Sequence, residues 1–247
     1  MKTIISYALL LIWCESPALA DFVFSPNVAN PNGSIDGPFL LTQSEAASIR
    51  YQQVYAASSF LSVSSLPVSI TELSFAQIPG GLPLDFNLPS IEIRLSTTQN
   101  APDGLSPFFA QNVGADDSVV LSGSLHFYQS TVERYGVHVL LQQPFIYHPQ
   151  TGNLLMDVRN FQTIPDPGMP IGVYAQIALG DSVSLVAIGN VNDPGGSTGT
   201  AGLLTRFTVT PIPEPGTALL ILAGLAAGAL LRGKFPQTNS GRPPVPR

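Results

Sequence analysis

The sequence predicts an all-β fold, an antiparallel β-sandwich or jelly-roll-like single domain. Three observations predict it. Short segments alternate apolar and polar residues with a period of two, clusters of Gly, Pro, Asn and Asp separate them, and no amphipathic helices intervene to carry the crossovers of a parallel sheet. In chain order the strand candidates begin with Leu66–Phe75 and Ile91-Glu92-Ile93-Arg94-Leu95, the latter a clean alternation. Ser118–Phe127, Gly136–Gln142 and Asn153–Phe161 follow, the last with Leu154, Met156 and Val158 on one face and Leu155, Asp157 and Arg159 on the other. Ile171–Ala178 and Ser182–Ile188 come next. Leu203–Val209 then sets Leu203, Thr205, Phe207 and Val209 against Leu204, Arg206 and Thr208. Turns are expected at Pro79-Gly80-Gly81, Ala101–Gly104, Gln150–Asn153, Pro165–Pro170 and Asp193–Gly199. Roughly eight to ten short strands result, the number of a sandwich. One helix is expected within Ser44–Phe60, with Arg50–Tyr55 forming a turn or two. Asp193–Gly202 reads as a mobile loop or an edge connection.

Both ends of the chain carry apolar segments of their own. Lys2 precedes an apolar run from Ile4 to Trp13, and Ala18-Leu19-Ala20 forms a small-x-small cleavage site before Asp21. This is the pattern of a secretory signal peptide, residues 1–20. The single cysteine, Cys14, lies inside it; bulky Trp13 before it argues against lipid attachment, and the mature chain has no thiol. At the other end stands Pro213-Glu214-Pro215-Gly216-Thr217. The uncharged run 218–231 follows, then Arg232 and Lys234, then a Pro-rich tail, 235–247. As a helix the run would extend about 21 Å at about 1.5 Å per residue. That is short of the about 20 residues of a full span, so thinning or snorkelling flanks would help it cross. Gly224 and Gly228 permit close helix approach, and Arg232 and Lys234 hold the end on the cytoplasmic side.

That order of Pro-Glu-Pro, apolar run and basic residues resembles the PEP-CTERM sorting signal of exported proteins of Gram-negative bacteria, over 212–234. The resemblance implies that a membrane protease, an exosortase, recognises Pro213, Glu214 and Pro215. It also implies a transient inner-membrane anchor and delivery to the cell surface, the outer membrane or the extracellular matrix. It places the protein in a non-enzymatic set tied to exopolysaccharide and biofilm. Where family tails stop soon after a dense arginine cluster, this one has two basic residues and a 13-residue extension. An ordinary membrane anchor that is never cut is the other reading. The body, 21–211, is similar to uncharacterised PEP-CTERM proteins through Arg50–Tyr55, Leu95–Thr98, Ala101–Ser106, Asn112–Asp117 and Gly152–Phe161; that likeness implies no activity.

The body carries five basic residues, all arginine, against 14 acidic ones, a net charge of −9. Nucleic acid and anionic lipid are poor partners for it, whereas cations or a neutral polysaccharide are natural ones. Asp103, Asp116 and Asp117 are the candidate Ca²⁺ ligands, because hard cations take several carboxylate and carbonyl oxygens from Asx/Gly loops. Turn formation explains the same residues unaided. No other cofactor is implied. His126, His138 and His148 lack zinc spacing and read as surface or satisfied histidines. No catalytic cysteine or phosphate-cradling loop is present.

Asp85, Glu92, Glu133 and Asp157 are the carboxylates from which a glycosidase pair would come. Glu92 and Asp157 look instead like outward positions partnering Arg94 and Arg159. Tyr51, Tyr55, Tyr128, Tyr135, Tyr147 and Tyr174 either pack in the core or offer rings to sugars, with Tyr128 and Tyr135 flanking a hairpin turn. By the resemblance, the expected function is an exported, non-enzymatic surface or matrix protein sorted by an exosortase and associated with exopolysaccharide, with glycan binding one form of that role. The alternatives are a secreted glycan-active hydrolase and a purely structural surface protein.

Overall fold

The computed structural model describes residues 19–35, 37–39, 48–77, 84–129, 132–162, 173–177 and 180–212. The chain divides into two units, Met1–Ile212 and Pro213–Arg247. The second unit lies outside the described residues, and so do the expected membrane span and the signal peptide up to Ala18. Among the described residues no helix is long and apolar enough to cross a membrane.

The described part is all-β and antiparallel throughout, consistent with a sandwich. Its strands are β1 (Asp21–Ser25), β2 (Gly33–Ile35), β3 (Ile49–Tyr55), β4 (Val68–Phe75), β5 (Leu84–Thr98), β6 (Ser118–Gln129) and β7 (Val137–Tyr147). There follow β8 (Asn153–Asn160), β9 (Val173–Ile177), β10 (Val183–Ile188), β11 (Ser197–Gly199), β12 (Ala201–Leu203) and β13 (Thr205–Pro211). Ten of them form one sheet in the order β1-β13-β4-β7-β6-β5-β8-β3-β10-β11, and β12-β9-β2 form a second. Among the described residues β6 and β7 pair at a single position, Gln129 with Val137. The large sheet therefore has two wings joined by a hairpin at one corner. Rings meet across the core between them: Tyr55 on Phe207 at 4.9 Å, Phe60 on Tyr147 at 4.8 Å and Phe60 on Phe207 at 4.9 Å.

Two expectations need correction. Arg50–Tyr55 is not helical; it is the heart of β3, paired with β8 and β10 on its two sides. Its aromatic and β-branched content suits a pleated surface, and the helix is confined to one turn, α1 (Ala57–Leu61). Asp157 is not an outward surface position; it is 2% exposed. Asp193–Gly202 proves to be an edge connection, since Ser197–Gly199 pairs with β10 at the rim.

Asp157 is buried because a loop covers its face of the sheet. Tyr55, Leu154 and Val183 point into the main core, while Val54, Leu155 and Val186 point the other way. Those three meet Leu105 and Phe109 of the 99–117 loop in a second apolar cluster. The loop lies very close to the strands: a Cβ on Gly114 would fall 1.8 Å from the Thr97 carbonyl oxygen, so glycine is required there.

Candidate functional site

The residues most suited to meeting a ligand lie on the outer face of the other wing. The pairing of β1, β13, β4 and β7 sets Phe24, Arg206, Ser74 and His138 in one row and Phe22, Thr208, Glu72 and Leu140 in the next. Their neighbours Val23, Phe207, Leu73 and Val139 point into the core. Phe22 at 45% and Leu140 at 72% are open to solvent on this face, and Tyr128 of β6, in the other wing, is 51% exposed.

The polar centre of this face is held in place. Glu72 accepts from Ser74 Oγ (3.0 Å) and Thr208 Oγ1 (3.1 Å), and pairs with His138 Nδ1 at 2.6 Å. Burial alone would push its carboxyl up; the bonds from His138, Ser74 and Thr208 outweigh burial and hold it below the ordinary range. Arg206 donates to Ser74 Oγ (3.1 Å) and lies over the rings of Phe22 at 4.9 Å and Tyr135 at 5.8 Å. Burial raises the Tyr135 hydroxyl pKa against the opposing pull of Arg134 and Arg206.

This cluster does not have the layout of a nucleophile relay. Ser74 and Glu72 both approach His138 at Nδ1, while His138 Nε2 faces Glu133 at 3.4 Å. Although Ser74 and Glu133 sit on opposite ring nitrogens, the Ser74 hydroxyl donates to Glu72 rather than to the ring and is fully buried, so it is not presented as a nucleophile. The centre can instead present fixed hydrogen-bonding groups, with charges already balanced against one another, between apolar margins.

The sequence candidates are dispersed. Asp117 forks onto Arg94 at 2.5–3.1 Å, and Asp116 accepts from Thr97 N (2.7 Å) and Oγ1 (2.6 Å). Asp103 turns the other way: it adopts φ 62°, accepts from Gly180 N at 2.8 Å, and its own N–H donates to Ser184 Oγ at 2.8 Å. Among the described residues no three His, Cys, Asp or Glu side chains form a metal-binding group.

Each of the four glycosidase candidates has a basic partner. Asp85 pairs with His126 (2.7 Å), Glu133 with His138, Glu92 with Arg94 (3.2 Å) and Arg159 (3.4 Å), and Asp157 with Arg50 (2.7 Å). His148 is exposed. Tyr51, Tyr55 and Tyr147 are core rings, and burial raises the pKa of all three. Tyr135 is half-buried against Phe24 at 5.2 Å. The Tyr174 side chain, Ala18, Pro213, Glu214, Pro215, Arg232 and Lys234 lie outside the described residues; Ala20 directly precedes β1.

Sequence reasoning missed Phe22, Glu72 and Ser74. The available signal was a break in alternation in β4. Val68 and Ile70 are followed by Leu73 and Phe75, so one extra residue, Thr71, bulges against β13, where adjacent Thr208 and Val209 pair with Glu72 and Ile70. That bulge turns Glu72 and Ser74 outward. No protein-family model matches the chain, and no curated protein sequence matches it.

Proposed function

We propose that the chain is an exported, non-enzymatic surface or matrix protein, sorted by an exosortase acting at Pro213–Pro215, whose bare sheet face contacts a neutral extracellular polysaccharide. The observation that carries the reading is the tail itself: Pro-Glu-Pro, the uncharged run 218–231, then Arg232 and Lys234. The limits of the fold support it. β1 begins at Asp21, directly after the small-x-small site, and the compact unit ends at Ile212, directly before the motif. Excised at both sites, the body keeps every described strand.

The glycan part rests on the Phe22–Leu140 face. Phe22 and Leu140 offer apolar surface to the C–H faces of sugar rings. Glu72, Arg206 and Thr208 offer fixed polar groups among them, the usual division of labour in a binding site. The net charge of −9 on the body disfavours an anionic polymer.

Expression of the full chain in a Gram-negative host, with and without an exosortase, tests the sorting. The expected product starts at Asp21 and ends within Pro213–Pro215, appears only with the protease, and is lost in a Pro213→Ala/Pro215→Ala chain. An intact tail in the presence of the protease overturns the reading. Co-sedimentation with amorphous cellulose and dextran, with alginate as the acidic control, tests the face. Retention on a neutral glucan that survives a chelator and is lost in Phe22→Ala/Leu140→Ser is expected; retention on neither glucan removes the glycan partner.

A further inference from the structure

β1 is the last strand of its wing, and its free edge borders a pocket of about 380 Å³. The pocket is lined by Phe22 and Phe24 of β1, by Ser58 and Ser59 of α1 with its C-cap Ser62, and by Ser182. Phe22 N–H donates to Asp21 Oδ1 at 2.7 Å, which marks it as turned away from β13. Residues two apart send their main-chain groups to the same side of an antiparallel strand, so Phe24 N–H and C=O face the free edge as well. The hydroxyls around them are held in position. Ser25 Oγ, fully buried, bonds Ser59 Oγ at 3.1 Å and Ser182 Oγ at 3.4 Å, and Ser62 Oγ donates to the Ser59 carbonyl at 2.7 Å. Ser58 stands open to solvent.

Two features keep a further strand from adding here. The Asp21 carboxylate already occupies Phe22 N–H, and Pro26, next after β1, has no N–H to give, so the open edge is too short for a ladder. The pocket suits a small ligand rich in hydroxyls. Serine hydroxyls and the main-chain groups of Phe24 supply donors and acceptors together, which is what a sugar hydroxyl requires. No charged residue lines the pocket, and the neighbouring Asp21 carboxylate repels an anion. The volume is at the low end of the about 300–1,000 Å³ of small-molecule pockets, room for a saccharide unit and not for a length of polymer. We propose that this pocket takes one uncharged sugar unit, a chain end or a branch of the polysaccharide that lies on the outer face. Phe22 borders both the pocket and that face, so the two are continuous. The inference rests on the glycan reading above and adds to it a subsite that selects for ends and branches.

Saturation-transfer NMR on the full chain tests this, with the methyl glycosides of glucose, galactose, mannose and N-acetylglucosamine as ligands and glucuronate as the charged control. Transfer to at least one neutral glycoside and none to glucuronate is expected. Ser58→Leu fills the pocket from an exposed helical position, where leucine is the better helix former, and should weaken binding at least about tenfold. Ser58→Ala removes only the hydroxyl and should weaken it about three- to tenfold. Leu140→Ser, on the outer face, should leave glycoside binding as it was. Transfer that persists in Ser58→Leu and is lost in Leu140→Ser overturns the inference and leaves the sugar on the outer face alone. No transfer to any glycoside, in a chain still retained on a neutral glucan, also overturns it while the polysaccharide reading stands. Slowed hydrogen exchange at Phe24 N–H with a neutral Thr-Val repeat peptide, and with no glycoside, would assign the edge to strand addition instead. If neither glycoside nor glucan is bound, the glycan reading falls, and this inference with it.

Discussion

The two outer faces of the large sheet have been treated in opposite ways. Over β5, β8, β3 and β10 the 99–117 loop closes down, and the polar groups beneath it satisfy one another. Asp157 is shared by Arg50 (2.7 Å) and Gln52 Nε2 (2.9 Å), Gln52 Nε2 also reaches the Phe109 carbonyl (3.2 Å), and Arg50 lies 4.4 Å over the Phe109 ring. Over β1, β13, β4 and β7 no such loop is seen among the described residues, and the partly buried Arg206 and Glu72, 18% and 23% exposed, lie beside the open side chains of Phe22 and Leu140. Similar residue types are therefore structural on one wing and available on the other. Burial makes the difference, because an unpartnered charge costs far more under a loop than in solvent.

The sharpest way to break this contrast is to remove one group from each face. Asp157→Ala should cost about 3–5 kcal/mol, because Arg50 is left charged beneath the loop. Leu140→Ser should change stability by less than about 0.5 kcal/mol. Urea unfolding of both decides; a loss below 1 kcal/mol at Asp157 would mean that the covered network is dispensable.

A smaller effect is expected where the amide of Gln53 stands in for a peptide group. Gln53 Oε1 accepts from Leu203 N–H (2.7 Å) and its Nε2 donates to the Leu203 carbonyl (2.9 Å), tying the small sheet to β3. Gln53→Ala strands both backbone groups and should cost about 2–3 kcal/mol. Hydrogen exchange at the Leu203 amide should rise with it; unchanged protection there would show that the clasp contributes little.

On the bare face, Glu72→Gln should cost about 1 kcal/mol at neutral pH through its weakened bonds to His138, Ser74 and Thr208. The folded pKa of Glu72 is lowered, so its stabilisation is present above the unfolded value and disappears as pH falls through the folded one. Wild-type and variant melting curves should therefore converge in acid, below the ordinary value of 4.5. A constant gap across pH would assign the effect to packing.

A smaller loss than at Gln53 is expected at the seam between the wings. Gln142 makes the same two-bond contact with Ser122 N and O, each at 3.1 Å, but in solvent. Gln142→Ala should cost about 0.5–1 kcal/mol. A cost equal to that of Gln53→Ala would mean that solvent exposure does not discount these clasps.

The alternating strands were legible because one face of each meets the core: Phe207 and Val209 inward, Arg206 and Thr208 outward. β3 and β8 were harder to read, since both their faces are covered. Leu154-Leu155-Met156 is buried throughout, and adjacent Gln52 and Gln53 are both fully buried, so the period of two is blurred. That blurring invited a helix at Arg50–Tyr55. The burial of Asp157 depends on Phe109, 48 residues away in sequence, and nothing local announces it. The bare face was half legible. Arg206 read as outward from its alternation, whereas Glu72 and Ser74 depended on the Thr71 bulge. Their convergence with His138 depended on which strands become neighbours, and sequence periodicity does not encode strand order.

The pairing of Asp21 with Val209 has a consequence for connectivity. The first and last strands of the body lie side by side and antiparallel, so its two ends leave from the same edge of the sheet. A few residues would join them. The order of elements along the chain could then be rotated, with new ends opened at the exposed Gln150–Thr151 turn, and every strand would keep its neighbours.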